Sequence, residues 1–349
     1  MLFAMVNLIA GLLAGLIRIG WDFPLTPVAV HHGAIMVGGF FTTLIALEKI
    51  IPLKRNFLLI IPLISALSLI IVVEGYYFIG QYFLLAGSLG LLAIQSVYFY
   101  RAPRDRSALL MVIGADCLVA GNILLMQKQF YPSSFPWWMG FLLFTVIGER
   151  LELSRFLPVS DQAKNLLFVF LALFLIGLII PFHGIGKYIS GLALICISVW
   201  MLRNDVIRIG LRNTGLVKYS SVALLLAHVS LLLEGVFLFA LPDALFAYDI
   251  SVHTFFIGFG FTMVFAHGPI ILPAVLGINS KPYHPVLYLW LFLLQGSLLL
   301  RILSDSIVNM EWRKFSGLIT VITILLYFIT LVVQVIRTRQ RISANIHPS

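Results

Sequence analysis

Charge is what this sequence has least of. Charged residues make up 11% of its 349 positions while 61% are hydrophobic, against about 25% charged in an ordinary soluble domain. That shortage excludes a soluble globular fold with a solvated polar surface. Cysteine is nearly absent too. Cys117 and Cys196 both fall in apolar runs without Cys-x-x-Cys spacing, which excludes a disulfide framework and leaves them as small buried hydrophobes. There is no Gly-rich phosphate loop with its Lys, no Cys-x-x-Cys-His haem attachment and no Gly-x-Ser-x-Gly elbow, so phosphate-cradling, covalent haem and serine-hydrolase chemistry are excluded. The first apolar run lacks a basic n-region, so no cleavable signal peptide is expected.

What the chain has instead is apolar stretches of membrane-crossing length. The mean hydropathy is +1.05, and runs of about 20 residues, the thickness of a bilayer core, recur from end to end. They fall near 2–19, 27–47, 57–76, 80–100, 107–126, 136–153, 165–182, 186–203, 219–241, 246–273, 284–303 and 313–336. The breaks carry turn residues or charge, as in "KIIPLKRN", "RAPRDR", "LPVSDQAKN" and "NSKPYHP". The expected fold is all-α: a polytopic membrane bundle of about twelve transmembrane helices, with residues 1–349 as one transmembrane domain in the lipid bilayer. Twelve spans put both termini on one side. Seventeen of the 23 Lys and Arg residues then lie on the side of the termini, and six lie opposite: Arg18, Lys128, Lys187, Arg301, Arg313 and Lys314. By the positive-inside rule the termini are cytoplasmic. The net charge of +9 is therefore an orientation signature and not a nucleic-acid footprint. Trp21, Trp137, Trp138 and Trp312 stand at span ends, where aromatic belts form.

Orientation turns the histidines into a depth map. His31 and His32 sit in the outer third of the second span, and His253 sits at comparable depth in the tenth. His228 falls near the midplane of the ninth. His267, 14 residues beyond His253, lies about 21 Å deeper at 1.5 Å per residue, near the cytoplasmic end. His183, His284 and His347 read as solvated. Imidazole is a common axial ligand of haem iron, and the flat macrocycle needs small residues beside it. Gly38 and Gly39 follow His31 and His32 by one heptad each, and Gly260 follows His253 by the same interval, with Gly258 nearby; glycines also line ordinary transmembrane helix contacts. Neighbouring helix residues point about 100° apart, so one of His31 and His32 is the axial candidate, and the deeper His32, which shares a face with Met36, is favoured.

Other polar groups inside the spans are second-site candidates, because intramembrane ionisable residues are expensive. His228 and Glu234 both lie in "SSVALLLAHVSLLLEGVFLFALP", about 120° apart around the helix. Glu234 reads as a haem propionate neighbour, a proton-relay carboxylate or a second-metal ligand, and equally as one of a pair of hydrogen-bonded core polar residues. His267 is followed by Gly268, Pro269 and Pro273, which loosen the helix. "GERLELSRF" places Glu149, Arg150, Glu152 and Arg155 for i,i+3 ion pairs, and Asp116 is a deeper carboxylate with no partner named by the sequence.

"HHGAIMVGGFFTTLIA" and "HTFFIGFGFTMVF" resemble the two hallmark segments of the NnrS family, twelve-span bacterial membrane proteins that carry haem and copper in the response to nitric oxide. The resemblance rests on His32, Met36 and Gly39-Phe40 in one segment and on His253, Gly258 and Met263 in the other. The family's Glu before the Met is missing here, and Gly268-Pro269 stands where the family has Thr-Gly-Arg after its later histidine. The resemblance implies non-covalent haem b with His32, His253 or His31 as axial ligands and Gly38, Gly39, Gly260 and Met36 packed against it. It also implies copper at a second site among His228, His267 and Glu234. Histidines on a second and a tenth helix are also similar to the ligand placement of haem–copper oxidase catalytic subunits, whose copper histidine set this chain lacks.

Three readings stand at this point. One is a haem protein, with or without copper, of the bacterial inner membrane, binding nitric oxide or oxygen in nitrosative stress. Another is a haem-dependent oxidoreductase taking electrons from quinol or another donor. The third is a cofactor-free, proton-coupled transporter.

Overall fold

The computed structural model describes residues 1–24, 26–103, 105–153, 159–241, 244–275, 277 and 282–346. Among the described residues there are helices and no strands, and a helix accompanies each apolar run. In chain order these are α1 (Leu2–Arg18), α2 (Val28–Leu53), α3 (Asn56–Val73), α4 (Tyr77–Arg101), α5 (Arg106–Lys128) and α6 (Tyr131–Leu153), then α7 (Asp161–Ile179), α8 (Phe182–Asn204), α9 (Gly215–Ala240), α10 (Ala247–Pro273), α11 (Val286–Ser306) and α12 (Met310–Ile346). Ten of them, all but α1 and α6, contain stretches long and apolar enough to cross a membrane. α1 has only 17 residues; α6 has 23, but its first turns hold Pro, Ser and Trp and its last turns hold charge. The chain is an all-α, multi-pass membrane protein.

Local chemistry sets the helix ends. Asp105 caps α5 by accepting from the Ser107 amide at 3.0 Å and its hydroxyl at 2.6 Å. α5 closes at Gln129, in the left-handed region at φ 47. Reciprocal 2.9 Å bonds between the Gln129 and Gln81 side chains then join that end to α4. Gly75, at φ +87, makes the turn out of α3 that a Cβ would strain.

The chain forms two compact units, Met1–Gln162 with Leu175–Gly186, and Ala163–Phe174 with the residues from Lys187 onward. In the first, α5 packs on α6 and α3, α4 and α5 succeed one another. In the second, α8 packs on α9, α9 on α10, and α11 on α12. Close crossings depend on glycine: a Cβ on Gly191 or Gly235 would meet the other's carbonyl oxygen at 2.9 Å and 2.7 Å.

Besides a short π-helical turn that opens α8, Phe182–Gly186, the described residues of each unit hold one long π-helical stretch, Ile35–Phe41 inside α2 and Thr254–Phe261 inside α10. The same sequence ends both, Gly38-x-x-Phe41-Thr42 and Gly258-x-x-Phe261-Thr262. The threonine hydroxyl donates to the carbonyl five residues back in both, Thr42 to Val37 at 2.9 Å and Thr262 to Ile257 at 3.1 Å. π-Helical turns are rare and concentrate at functional positions. Here each lies just after a histidine that the sequence reading singled out.

Candidate functional site

In the first unit the two adjacent histidines diverge. The His32 ring rests on α1, with Nδ1 2.7 Å from the Gly11 carbonyl oxygen. A Cβ on Gly15 would stand 2.9 Å from the ring's Cε1, so the glycine admits the imidazole. The His31 ring stacks on Tyr77 of α4 at 4.4 Å, and its Nδ1 lies 3.1 Å from the Tyr131 hydroxyl of α6. Met36 is buried and covers Gly11. The space beside Gly38 is filled by Leu84, and that beside Gly39 by Asn7. Asn7 donates to the carbonyls of Phe3 and Ala66 at 2.9 and 3.0 Å. These two glycines thus allow helices to approach closely around polar and leucine side chains.

In the second unit His253 projects Nδ1 to the Asp249 carbonyl oxygen at 2.8 Å, with that residue's carboxylate Oδ2 at 3.4 Å. Asp249 is the hub of an ion-pair cluster. Its Oδ2 lies 2.8 Å from Arg301 Nη2 and its Oδ1 3.1 Å from Arg313 Nη2. Asp305 completes the cluster at 3.2 Å from Arg301 Nε and 3.1 Å from Arg313 Nε. The Arg313 guanidinium also lies over the Phe246 ring at 4.1 Å. Gly258 faces Ser230 and Leu298, and Gly260 is buried within the π-helical stretch. Ser230, Gln295 and Thr262 form a chain, the serine donating to Gln295 Oε1 at 3.2 Å and Gln295 Nε2 donating to Thr262 at 2.6 Å.

The remaining candidates are separate. His228 is fully buried, its Nδ1 2.7 Å from the Leu224 carbonyl oxygen and its ring edge-on to Phe259. Glu234 accepts from the Ser251 hydroxyl. His267 has Nδ1 2.8 Å from the Met263 carbonyl oxygen. His183 and His284 make exposed contacts with the Pro132 carbonyl and the Val286 amide; His347 lies outside the described residues.

One chemical regularity joins four of these rings. A carbonyl oxygen only accepts, so Nδ1 of His32, His228, His253 and His267 must be the donor, and the neutral ring then carries its lone pair on Nε2. An imidazole anchored through one nitrogen is the form in which histidine coordinates iron or copper through the other. His31 is not fixed this way, because a tyrosine hydroxyl both donates and accepts. For haem, then, His253 and His32 have suitable donor chemistry. For copper no ligand set forms: among the described residues no three His, Cys, Asp or Glu side chains gather as a metal site.

The ion-pair cluster was outside the sequence reading, which placed Arg301 and Arg313 among the loop charges. Its local signals were Asp249 to His253 and Arg301 to Asp305, each at i,i+4 on one helix face. Glu149, expected to pair within its own helix, reaches α2, where Lys49 Nζ lies 2.7 Å from its Oε1 and 3.4 Å from Glu48. Arg155 lies outside the described residues, and Asp116 is exposed on α5. Cys117 is buried and Cys196 half-buried, both as free thiols.

Fold and side-chain placement define a polytopic helical membrane protein with histidines anchored on backbone carbonyls within its apolar helices. The chain belongs to the family described as a domain of unknown function (DUF8744), whose model matches residues 1–336. No curated protein and no solved structure matches it.

Proposed function

We propose that this protein is a haem-binding component of the bacterial cytoplasmic membrane, crossing it twelve times with both termini inside, and that it acts in the response to nitric oxide. The observation that carries the reading is His253, with Nδ1 2.8 Å from the Asp249 carbonyl oxygen, immediately before a π-helical stretch. His32 supports it with the same anchoring on the Gly11 carbonyl in the other unit. The orientation rests on the 17-to-6 division of basic residues. Two of the six, Arg301 and Arg313, are neutralised by Asp249 and Asp305, which leaves the outer side poorer still in free positive charge.

Haem b held without a covalent bond by either histidine, within its own unit, would supply an iron that binds a diatomic gas or passes one electron. The chain's own part is orientation. The Asp249 and Gly11 carbonyls hold the two rings, and Arg301 and Arg313 hold Asp249. The nitric oxide role rests on the resemblance of the two histidine segments, and copper forms no part of the proposal.

The test is survival of cells lacking the gene when challenged with a nitric oxide donor. Restored survival with the natural gene but not with His253→Ala supports the reading. Equal survival with and without the gene refutes the nitric oxide role.

A further inference from the structure

Glu234 has an environment unlike that of Asp249 and Asp305 in the same unit. It lies inside α9, is 0% exposed, and receives one hydrogen bond, from the Ser251 hydroxyl of α10 to Oε1. Its second oxygen, Oε2, is equally buried and meets no hydrogen-bond partner among the described residues. α9 packs against α8, α10 and α11. Titratable groups on these helices are engaged elsewhere: Asp249, Arg301 and Asp305 with one another, His253 with Asp249, and His228 with the Leu224 carbonyl. Among the described residues none of them, nor Cys196 on α8, hydrogen-bonds to Glu234 Oε2.

An ionised carboxylate in that position would have one hydroxyl donor and no counter-charge. Burying a charge with so little compensation is unfavourable, and binding a proton removes most of that cost. The partner's chemistry agrees. A lysine or arginine would suit only the ionised form, whereas a serine hydroxyl can donate to a carboxylate and can accept from a carboxylic acid.

We propose that Glu234 is a proton-binding site, a carboxylic acid in the interior of the second unit whose ligand is a proton and not a metal ion. Loading the site forms one O–H bond on the carboxyl group and consumes one proton; unloading reverses this, and no cofactor or electron is involved. Ser251 is the positioning residue that serves both states. The site is independent of haem and would exist in the iron-free protein.

Infrared spectroscopy of the purified full-length protein in lipid tests this directly. Near pH 7 carboxyl groups with ordinary pKa values of about 4 are ionised, so a protonated carboxyl stands out by its C=O stretch above the amide bands. The expected result is such a band that shifts in heavy water, disappears in Glu234→Gln, and persists at higher frequency in Ser251→Ala. If Glu234→Gln fails to fold, labelling glutamate with carbon-13 must shift the wild-type band and Ser251→Ala, which touches no other glutamate among the described residues, must move it. A band unchanged in folded Glu234→Gln, insensitive to Ser251→Ala, or missing from the wild type would overturn the proposal.

Discussion

Asp249 and Arg301, 52 residues apart, meet through two contacts, with Oδ2 2.9 Å from Nε and 2.8 Å from Nη2. Arg313 holds the other carboxylate oxygen of Asp249, and Asp305 faces both guanidiniums. Two carboxylates and two guanidiniums balance in charge, so the cluster is tolerable only while complete. Removing one member leaves a poorly compensated charge among apolar helices, at a cost of about 3–5 kcal/mol. Asp249→Ala is therefore expected to lower stability strongly in denaturant titrations of the detergent-solubilised protein. The double variant Asp249→Ala with Arg301→Met should lose less than the two single losses added together.

Glycine substitutions should separate by what the new methyl group meets. A Cβ on Gly235 would lie 2.7 Å from the Gly191 carbonyl oxygen and 3.0 Å from the Ile195 amide nitrogen, so α8 and α9 would have to part. Gly235→Ala is expected to destabilise by about 1–3 kcal/mol. A Cβ on Gly38 meets the Leu84 side-chain tip at 2.6 Å, which can rotate away, and alanine regains about 1 kcal/mol of helix propensity. Gly38→Ala should unfold within a few degrees of the natural protein, and Gly235→Ala well below it.

The positions of the helices were legible because a bilayer imposes its thickness on the sequence as apolar runs of about 20 residues, and the structure has a helix for each run. Individual side-chain directions were not. The heptad from His32 to Gly39 suggests room for a flat cofactor, yet Asn7 from α1 fills the space at Gly39, and nothing near residue 39 in sequence announces it. The Asp249 cluster joins three helices whose register is set by packing, so Arg301 reads as a terminal charge until its partners are known. Asp249 and His253 could have been paired from their i,i+4 spacing alone. The shared Gly-x-x-Phe-Thr of α2 and α10 was also visible, although its link to π-helical geometry was not.

Thr262 ties the second π-helical stretch together, donating to the Ile257 carbonyl at 3.1 Å and accepting from Gln295 Nε2 at 2.6 Å. Valine in its place keeps the shape, removes both bonds and leaves a partly buried amide unsatisfied. A loss of about 1–3 kcal/mol is expected, with faster amide hydrogen exchange across Thr254–Phe261. Thr262→Ser, which keeps the hydroxyl, should retain most of the protection; equal exchange in the valine variant would show that the stretch does not depend on this side chain.

The measurement that bears most directly on the account is haem and iron per polypeptide, with oxidised and dithionite-reduced optical spectra, in protein purified from haem-replete cells. The natural chain should show a Soret band that sharpens on reduction and about one iron per haem. His253→Ala should lose the band or shift it, and His31→Ala should retain it. A colourless, iron-free natural protein that stays folded would contradict the haem assignment.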